Sequence, residues 1–288
     1  MTENLKRGAA LVVASGALFA GMGAIVRVAS ESLPNEMVVF FRSAMGLAVL
    51  MPWVWHLGLS LKTRYLKFHL VRSLAGLAAM YCFFYAIAHL PLAEATLYNY
   101  STPLWVPFIA FALLREPIPR RLAWDIGIGF VGIALILKPA FGGAGLPAVA
   151  GIASGVLAAL AVVGIRRLIR TEPATRIVFY FSLVCTCVSA VPLAWTWRTP
   201  APWLWALLLF MGLLASAAQL LLTRGYAHAP AAQVGPFIYS TVVFSALLGW
   251  LLWGDVFDLF SLLGAGLVCL GGALAIRASG KNAAPAAD

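Results

Sequence analysis

Charge is scarce in this chain, and acid is scarcer still. Asp, Glu, Lys and Arg make up 10% of its 288 residues, whereas an average soluble domain carries about 25%. That excludes an ordinary water-facing surface over most of the length. The ten acids all fall at or near an expected helix end or in a loop: Glu31, Glu36, Glu94, Glu116, Asp125, Glu172, Asp255 and Asp258, with Glu3 and Asp288 at the termini. No carboxylate is therefore expected at mid-membrane to attract an organic cation or exchange a proton. Cysteine is limited to Cys82, Cys185, Cys187 and Cys269. All four lie in apolar runs without CxxC spacing, which reads as small core residues and gives no metal site. HExxH, GxSxG and Walker sequences are missing, so an ATP-driven pump or a hydrolase of those types lacks its machinery. No cofactor is expected either. GIGFVG at 127–132 fits GxGxxG, but it sits in an apolar run with no strand before it and reads as close helix packing. Asn99-Tyr100-Ser101 is a glycosylation sequon placed at membrane depth, out of reach of that chemistry.

What the chain has in quantity is apolar length. It is 62% hydrophobic, with a mean hydropathy of +0.94. A helix needs roughly 20 apolar residues to cross about 30 Å of hydrocarbon. Charges and Pro/Gly clusters divide the sequence into ten such segments, at 8–29, 36–56, 68–89, 93–114, 120–138, 146–165, 174–196, 202–223, 230–253 and 257–277. Strands are excluded because a lipid-exposed open edge leaves backbone groups unpaired, and the period-two alternation of a membrane barrel is absent. Lys6 and Arg7 precede an apolar stretch reaching about residue 26, too long for a signal-peptide core, so it reads as the first span.

Ten spans put alternate connections on alternate sides. Sixteen of the 20 Lys and Arg residues then fall on one side, and only Arg27, Arg42, Lys138 and Arg198 on the other. The positive-inside rule places both termini in the cytoplasm. Membrane orientation thus accounts for the net charge of +10 and removes the case for a nucleic-acid partner.

A shift of 139 residues aligns HLPLAEATLYNYST (His89 to Thr102) with HAPAAQVGPFIYST (His228 to Thr241), and sets Glu116 opposite Asp255 and Glu94 opposite Gln233. Each half holds five spans, and an odd number inverts the second copy in the membrane. The expected fold class is an all-α integral membrane protein of ten transmembrane helices, arranged as two inverted five-helix repeats around a central cavity. The first repeat covers 1–139 and the second 140–279, with 280–288 as a flexible tail.

VVFFRSAMGLAVLMP around Arg42, ATLYNYSTPLWVPFIAFALLREPIPRRL through Glu116, and GWLLWGDVFDLFSLLGAGLVCLGGALA in the second half carry a resemblance along nearly the whole chain. The sequence resembles the drug/metabolite transporter superfamily, in its ten-helix members built from two EamA domains. Within it the chain is most similar to bacterial YddG-type exporters of aromatic and other neutral amino acids. The resemblance implies a bacterial inner-membrane secondary exporter working by alternating access, without catalysis, with peripheral fifth and tenth spans. Its partners are a small neutral or zwitterionic solute and the lipid bilayer, with a monomer as a plausible state. Exporters of nucleobases, sugars or other metabolites share the same framework. An enzyme or a passive scaffold is the reading from a different class.

The fourth span concentrates polar residues at depth. Tyr98 to Thr102 lie roughly 8 to 14 Å in, at about 1.5 Å per residue, and Tyr239, Ser240 and Thr241 enter the inverted copy to a similar depth. Pro103 and Pro107 free the carbonyls of Asn99 and Pro103. Such a break is tolerated where it lines a water-filled pathway, or where polar side chains re-bond the carbonyls as a kink. Tyr81, Tyr85 and His89 share one face of the third span. Arg42 is the deepest cation; it either snorkels outward or anchors a substrate carboxylate. The candidate substrate-binding residues are Tyr81, Tyr85, Tyr98, Asn99, Ser101, Trp105, Tyr239 and Ser240, with Tyr100 retained on the resemblance and Arg42 as candidate carboxylate anchor.

Overall fold

The computed structural model describes residues 2–56, 58, 60–114, 120–137, 145–168, 171–228, 235–256 and 258–282. Every regular element among them is helical. In chain order these are α1 (Thr2–Ser30), α2 (Asn35–His56), α3 (Leu66–His89), α4 (Leu92–Asn99), α5 (Thr102–Leu114), α6 (Arg120–Leu137), α7 (Leu146–Leu168), α8 (Ala174–Ser189), α9 (Leu193–Thr196) and α10 (Pro202–His228). A 3₁₀ turn at Gly235–Tyr239, α11 (Ser240–Trp253) and α12 (Leu259–Asn282) complete the chain. Among the described residues, five helices are long and apolar enough to cross a membrane: Leu5–Ser30, Asn35–His56, Leu66–His89, Leu146–Ile165 and Pro202–Gly225. The fourth, seventh and ninth expected spans are interrupted instead. The fourth becomes α4 and α5, the seventh α8 and α9, and the ninth a 3₁₀ turn leading into α11.

The 139-residue shift holds for helix ends as well as for sequence. α2 starts at 35 and α8 at 174, α3 and α10 end at 89 and 228, and α6 and α12 start at 120 and 259. Pro34 and Pro173, equivalent residues, open α2 and α8. The Pro34 carbonyl accepts from the amides of Met37 and Val38 at 3.0 and 3.2 Å, and the Pro173 carbonyl from those of Arg176 and Ile177 at the same two distances. Packing follows the same symmetry: α1 meets α10 as α7 meets α3, α1 meets α11 as α7 meets α4 and α5, and α2 meets α10 as α8 meets α3. The pairs α2–α8 and α6–α12 each join one copy to its own equivalent, and α4 of the fourth span meets α11 of the ninth. This is the two-repeat inverted architecture. The expected boundary at 139/140 lies outside the described residues. α12 runs on to Asn282, three residues into the expected tail, and the rest of that tail also lies outside them.

The core centres on α1, α2, α3 and α10, with Met37, Phe41, Phe84, Ile87, Leu208 and Met211 nearly inaccessible. The outer face is as apolar as the core: Trp124, Phe210, Val243, Trp250, Leu262 and Leu263 are exposed. For a bundle in lipid such a face costs nothing, whereas in water it would be a large adhesive patch. Glycines set the closest approaches. A β-carbon on Gly132 would come within 2.6 Å of the Gly264 carbonyl oxygen, so α6 and α12 touch backbone to backbone. The GIGFVG stretch is therefore a packing seam. Of the cysteines, Cys185 is buried and Cys82 and Cys269 half-buried, but Cys187 is exposed instead of in the core, and all four are free thiols.

Candidate functional site

The interrupted fourth span meets α7. Tyr100 and Ser101 separate α4 from α5, and the polar side chains around the break fold back on it. Ser101 Oγ donates to the Tyr98 carbonyl at 2.6 Å, and Thr102 Oγ1 donates to the Asn99 carbonyl, which Pro103 would leave free, at 2.6 Å. Trp105 Nε1 donates to Ser101 Oγ at 3.0 Å, and Asn99 Nδ2 donates to Ser154 Oγ on α7 at 3.1 Å. Of the two sequence-level alternatives for this carbonyl, the local re-bonding is the one present. The break closes against glycines. A β-carbon at Gly151 would stand 2.8 Å from the Tyr98 ring, and one at Gly155 would stand 2.7 Å from Ser101 Oγ.

The second copy repeats this contact. Gly16 is equivalent to Gly155, and a β-carbon there would lie 2.6 Å from Ser240 Oγ and 2.9 Å from Thr241 Oγ1. Val242 replaces Pro103, so the carbonyl equivalent to that of Asn99 is not freed, and the Ser240 and Thr241 hydroxyls have no hydrogen-bond partner among the described residues. Tyr98 and Tyr239 enter one core cluster with Tyr100 and Trp105 packed against it. Tyr98 is 2% exposed. Tyr81 belongs to the other cluster, beside α1, α2 and α8, and Tyr85 stacks on His89 at 4.3 Å. The structure thus joins the tyrosines of the fourth and ninth spans and leaves those of the third apart from them.

Arg42 leads elsewhere. It does not snorkel: it is 6% exposed, with its guanidinium carbon 5.4 Å from the centre of the Phe181 ring on α8. Arg72 of α3, 4% exposed, places its own guanidinium 3.8 Å from the same ring. In the sequence Arg72 reads as an inner-side topology charge; the structure buries it in the bundle. Neither arginine has a carboxylate partner among the described residues. Arg42 Nε and Arg72 Nε and Nη1 are buried with no acceptor among the described residues, and both ring nitrogens of His69 and the hydroxyls of Ser43 and Ser73 likewise have no partner among them. A narrow crevice, too tight to hold a water molecule, adjoins Arg42, Gly46, Phe181, Ser182, Ser216 and Gln219. The same repeat shift makes Arg42 equivalent to Phe181 and Ser43 to Ser182. The crevice lies where α2 and α8, equivalent helices, meet α10. Midway between inverted repeats is where transporters hold their solutes.

Two polar clusters close the ends of the bundle. Arg27 of α1 pairs with Asp255 in the turn after α11, sits 4.3 Å above the Trp253 ring, and the Leu92 amide donates to the same carboxylate at 3.4 Å. Gly254, at φ +68°, makes the turn that brings Asp255 there, a backbone state that favours glycine. At the opposite end Glu172 accepts from Thr63 at 2.7 Å and from Arg176 at 2.5 Å. Burial alone would raise the Glu172 carboxyl. The hydrogen bonds from Thr63 and Arg176, with the charges of Arg176 and His69, outweigh it and hold the group below its usual value. Glu116 and Gln233, the partners of Asp255 and Glu94 in the repeat, lie outside the described residues.

The model of the EamA-like transporter family matches residues 6–138 and again 146–277. This chain belongs to the EamA-like transporter family. Three proteins similar to it are named for different cargoes. A pseudopaline exporter of Pseudomonas aeruginosa is 37% identical over 269 residues, covering 92% of this chain and 94% of its own. A riboflavin transporter of Vibrio cholerae is 25% identical over 270 residues, covering 92% and 91%. An S-adenosylmethionine uptake transporter of Rickettsia bellii is 28% identical over 233 residues, 80% of each chain. A crystal structure with 20% identity superposes at a TM-score of 0.67 over 96% of this chain and 98% of its own, which bears on the fold. The EamA-like chain is thus a multi-pass membrane transporter by family. The relatives that resemble it carry cargoes other than simple amino acids.

Proposed function

We propose that this chain is a secondary exporter of small, carboxylate-bearing metabolites, working by alternating access between its two inverted repeats, without chemical change to the solute. The observation that carries this reading is the Arg42 guanidinium, buried between the repeats with Nε unpaired among the described residues. An intramembrane arginine is costly and is retained where it has a function. A carboxylate is its natural two-pronged acceptor. Export, as against uptake, draws support from the 37% identity to an exporter. Aromatic and other neutral amino acids fall within this class, with Tyr98, Tyr100, Trp105 and Tyr239 as the aromatic surface that would meet a side chain when the break at Tyr100–Ser101 opens. Nucleobases and sugars, the second reading, leave Arg42 unanswered. In this proposal the repeats divide near 139/140, the protein sits in the bacterial inner membrane, and both termini face the cytoplasm, the side to which the sequence assigns most of its Lys and Arg residues.

Counterflow in proteoliposomes tests it, using labelled phenylalanine, tryptophan, threonine and a cationic dye. Carboxylate-bearing solutes should exchange and the dye should not. Arg42→Gln should lower that exchange about ten-fold or more, the loss expected for one charge-assisted hydrogen bond. Dye flux with no carboxylate flux overturns the reading.

A further inference from the structure

A groove of about 280 Å³ lies between α5 and α7, away from the meeting of α2 and α8. Ile109 and Ala112 line it from α5, and Val156, Leu157 and Leu160 from α7. Ile109 also packs on the buried contact of Val106 with Ala159 and Val163, so the groove runs beside a closed part of the bundle. Ala112 is exposed, which opens the groove at the surface. None of the five side chains carries a polar atom. A solute site needs a few placed polar groups to orient its cargo, whereas an apolar wall facing the bilayer suits an acyl chain.

The end of this groove is basic. Arg167 follows Leu160 by seven residues, which on a helix brings it within about 20° of the same direction and roughly 10 Å further along α7. Arg167 is exposed, with its guanidinium carbon 4.6 Å from the centre of the Phe68 ring on α3, and it has no carboxylate partner among the described residues. Glu172, the acid nearest to it in sequence, already accepts from Thr63 and Arg176. The ring holds the guanidinium by its face and leaves the N–H edge, whose fork matches two oxygens of a phosphate. Lys62 and Arg64, in the segment leading into α3, and Lys67, in its first turn, are exposed at the same end of the bundle. Tyr65, also exposed, has its ring 6.5 Å from that of Phe68, and an exposed tyrosine beside such cations marks the depth of lipid headgroups.

We infer that the α5–α7 groove is a binding site for one anionic phospholipid, with an acyl chain against Ile109, Ala112, Val156, Leu157 and Leu160 and the phosphate on Arg167. The two turns of α7 between Leu160 and Arg167 leave room for the glycerol between tail and headgroup. Basic residues at headgroup depth favour a lipid with net negative charge over a zwitterionic one, whose ammonium they repel. The orientation proposed above puts this end in the cytoplasmic leaflet. α5 is the second piece of the interrupted fourth span, so a tail lodged between it and α7 also braces the segment that follows the break at Tyr100–Ser101.

The test is native mass spectrometry of the purified full chain in detergent, titrated with dioleoyl phosphatidylglycerol and with dioleoyl phosphatidylcholine, which share their tails and differ in headgroup charge. Phosphatidylglycerol should appear as a single saturable adduct, held about five-fold more tightly than phosphatidylcholine. Arg167→Gln should remove that preference and leave phosphatidylcholine unchanged. Ala112→Trp should fill the groove and weaken both lipids; if that variant does not fold, Ala112→Leu makes the same test with a smaller side chain. Arg198→Gln, an exposed cation assigned to the opposite side of the membrane, should change neither. Equal retention of the two lipids by the wild-type chain, or a preference that survives Arg167→Gln, overturns the inference. So does displacement of phosphatidylglycerol by an equal concentration of inorganic phosphate, which would make the ligand a free anion, or a dimer that forms at the expense of the lipid adduct, which would make the occupant a second copy of this chain. None of these readings uses solute flux, so loss of the lipid site and loss of the proposed transport function are separate results.

Discussion

Tyr98 shows what burial changes at the level of one residue. Read from the sequence, it is a candidate to touch solute, and Tyr98→Ala is expected to reduce transport without loss of folded protein. At 2% exposure against Gly151, the same substitution opens a cavity between α4 and α7. A truncation of that size costs about 3–5 kcal/mol, so Tyr98→Ala should lower Tm and the yield of folded protein before any transport is measured. Tyr98→Phe keeps the ring and should stay folded, and counterflow of that variant reports the hydroxyl alone. Arg42 and Arg72 differ in how far they can be read. Arg42 stands out because it is a cation on the cation-poor side. Arg72 follows Lys62, Arg64 and Lys67 and so merges with a cluster that topology already explains. Its burial depends on α3 packing against α7 and α8, where a β-carbon on Gly164 would press on the Arg72 side chain at 3.0 Å. No local pattern encodes that contact.

Among helices, the prolines of the fourth span were legible as a break, but the fate of the freed carbonyl was not, because Ser101 and Thr102 can turn either outward or back on their own turn. The glycines that receive these segments were legible only through the repeat: Gly16 and Gly155 fall at matching positions in α1 and α7, and each faces the hydroxyls of a YST triplet. Gly16→Ala and Gly155→Ala should each overpack this junction, at about 1–3 kcal/mol. Gly127→Ala, where a β-carbon meets nothing within 4 Å, is the matched control and should hold or raise Tm. Thermal unfolding in detergent ranks the three. A Gly155→Ala protein as stable as wild type would mean that α4 and α7 sit further apart than described here.

The molecule as a whole is two copies of one design, and its spans, orientation pattern and repeat follow from apolar length, charge placement and the 139-residue shift. Its closed end does not. The pairing of Arg27 with Asp255 joins α1 to the α11–α12 turn and, through the Leu92 amide, to the start of α4. Losing a hydrogen bond to a charged group costs about 2 kcal/mol, close to thirty-fold in an equilibrium. Asp255→Asn should therefore shift the bundle by that order toward opening at this end, read as faster thiol labelling of a cysteine placed at Leu92. The reversed pair, Arg27→Asp with Asp255→Arg, should restore the wild-type rate. The equivalence of Arg42 and Phe181 has a different consequence. A tandem of two first halves would set a pair of guanidiniums face to face with no ring between them, and a tandem of two second halves would offer only rings. Neither half can stand in for its twin, so a duplication that began as a mirror now works as a lock and its key.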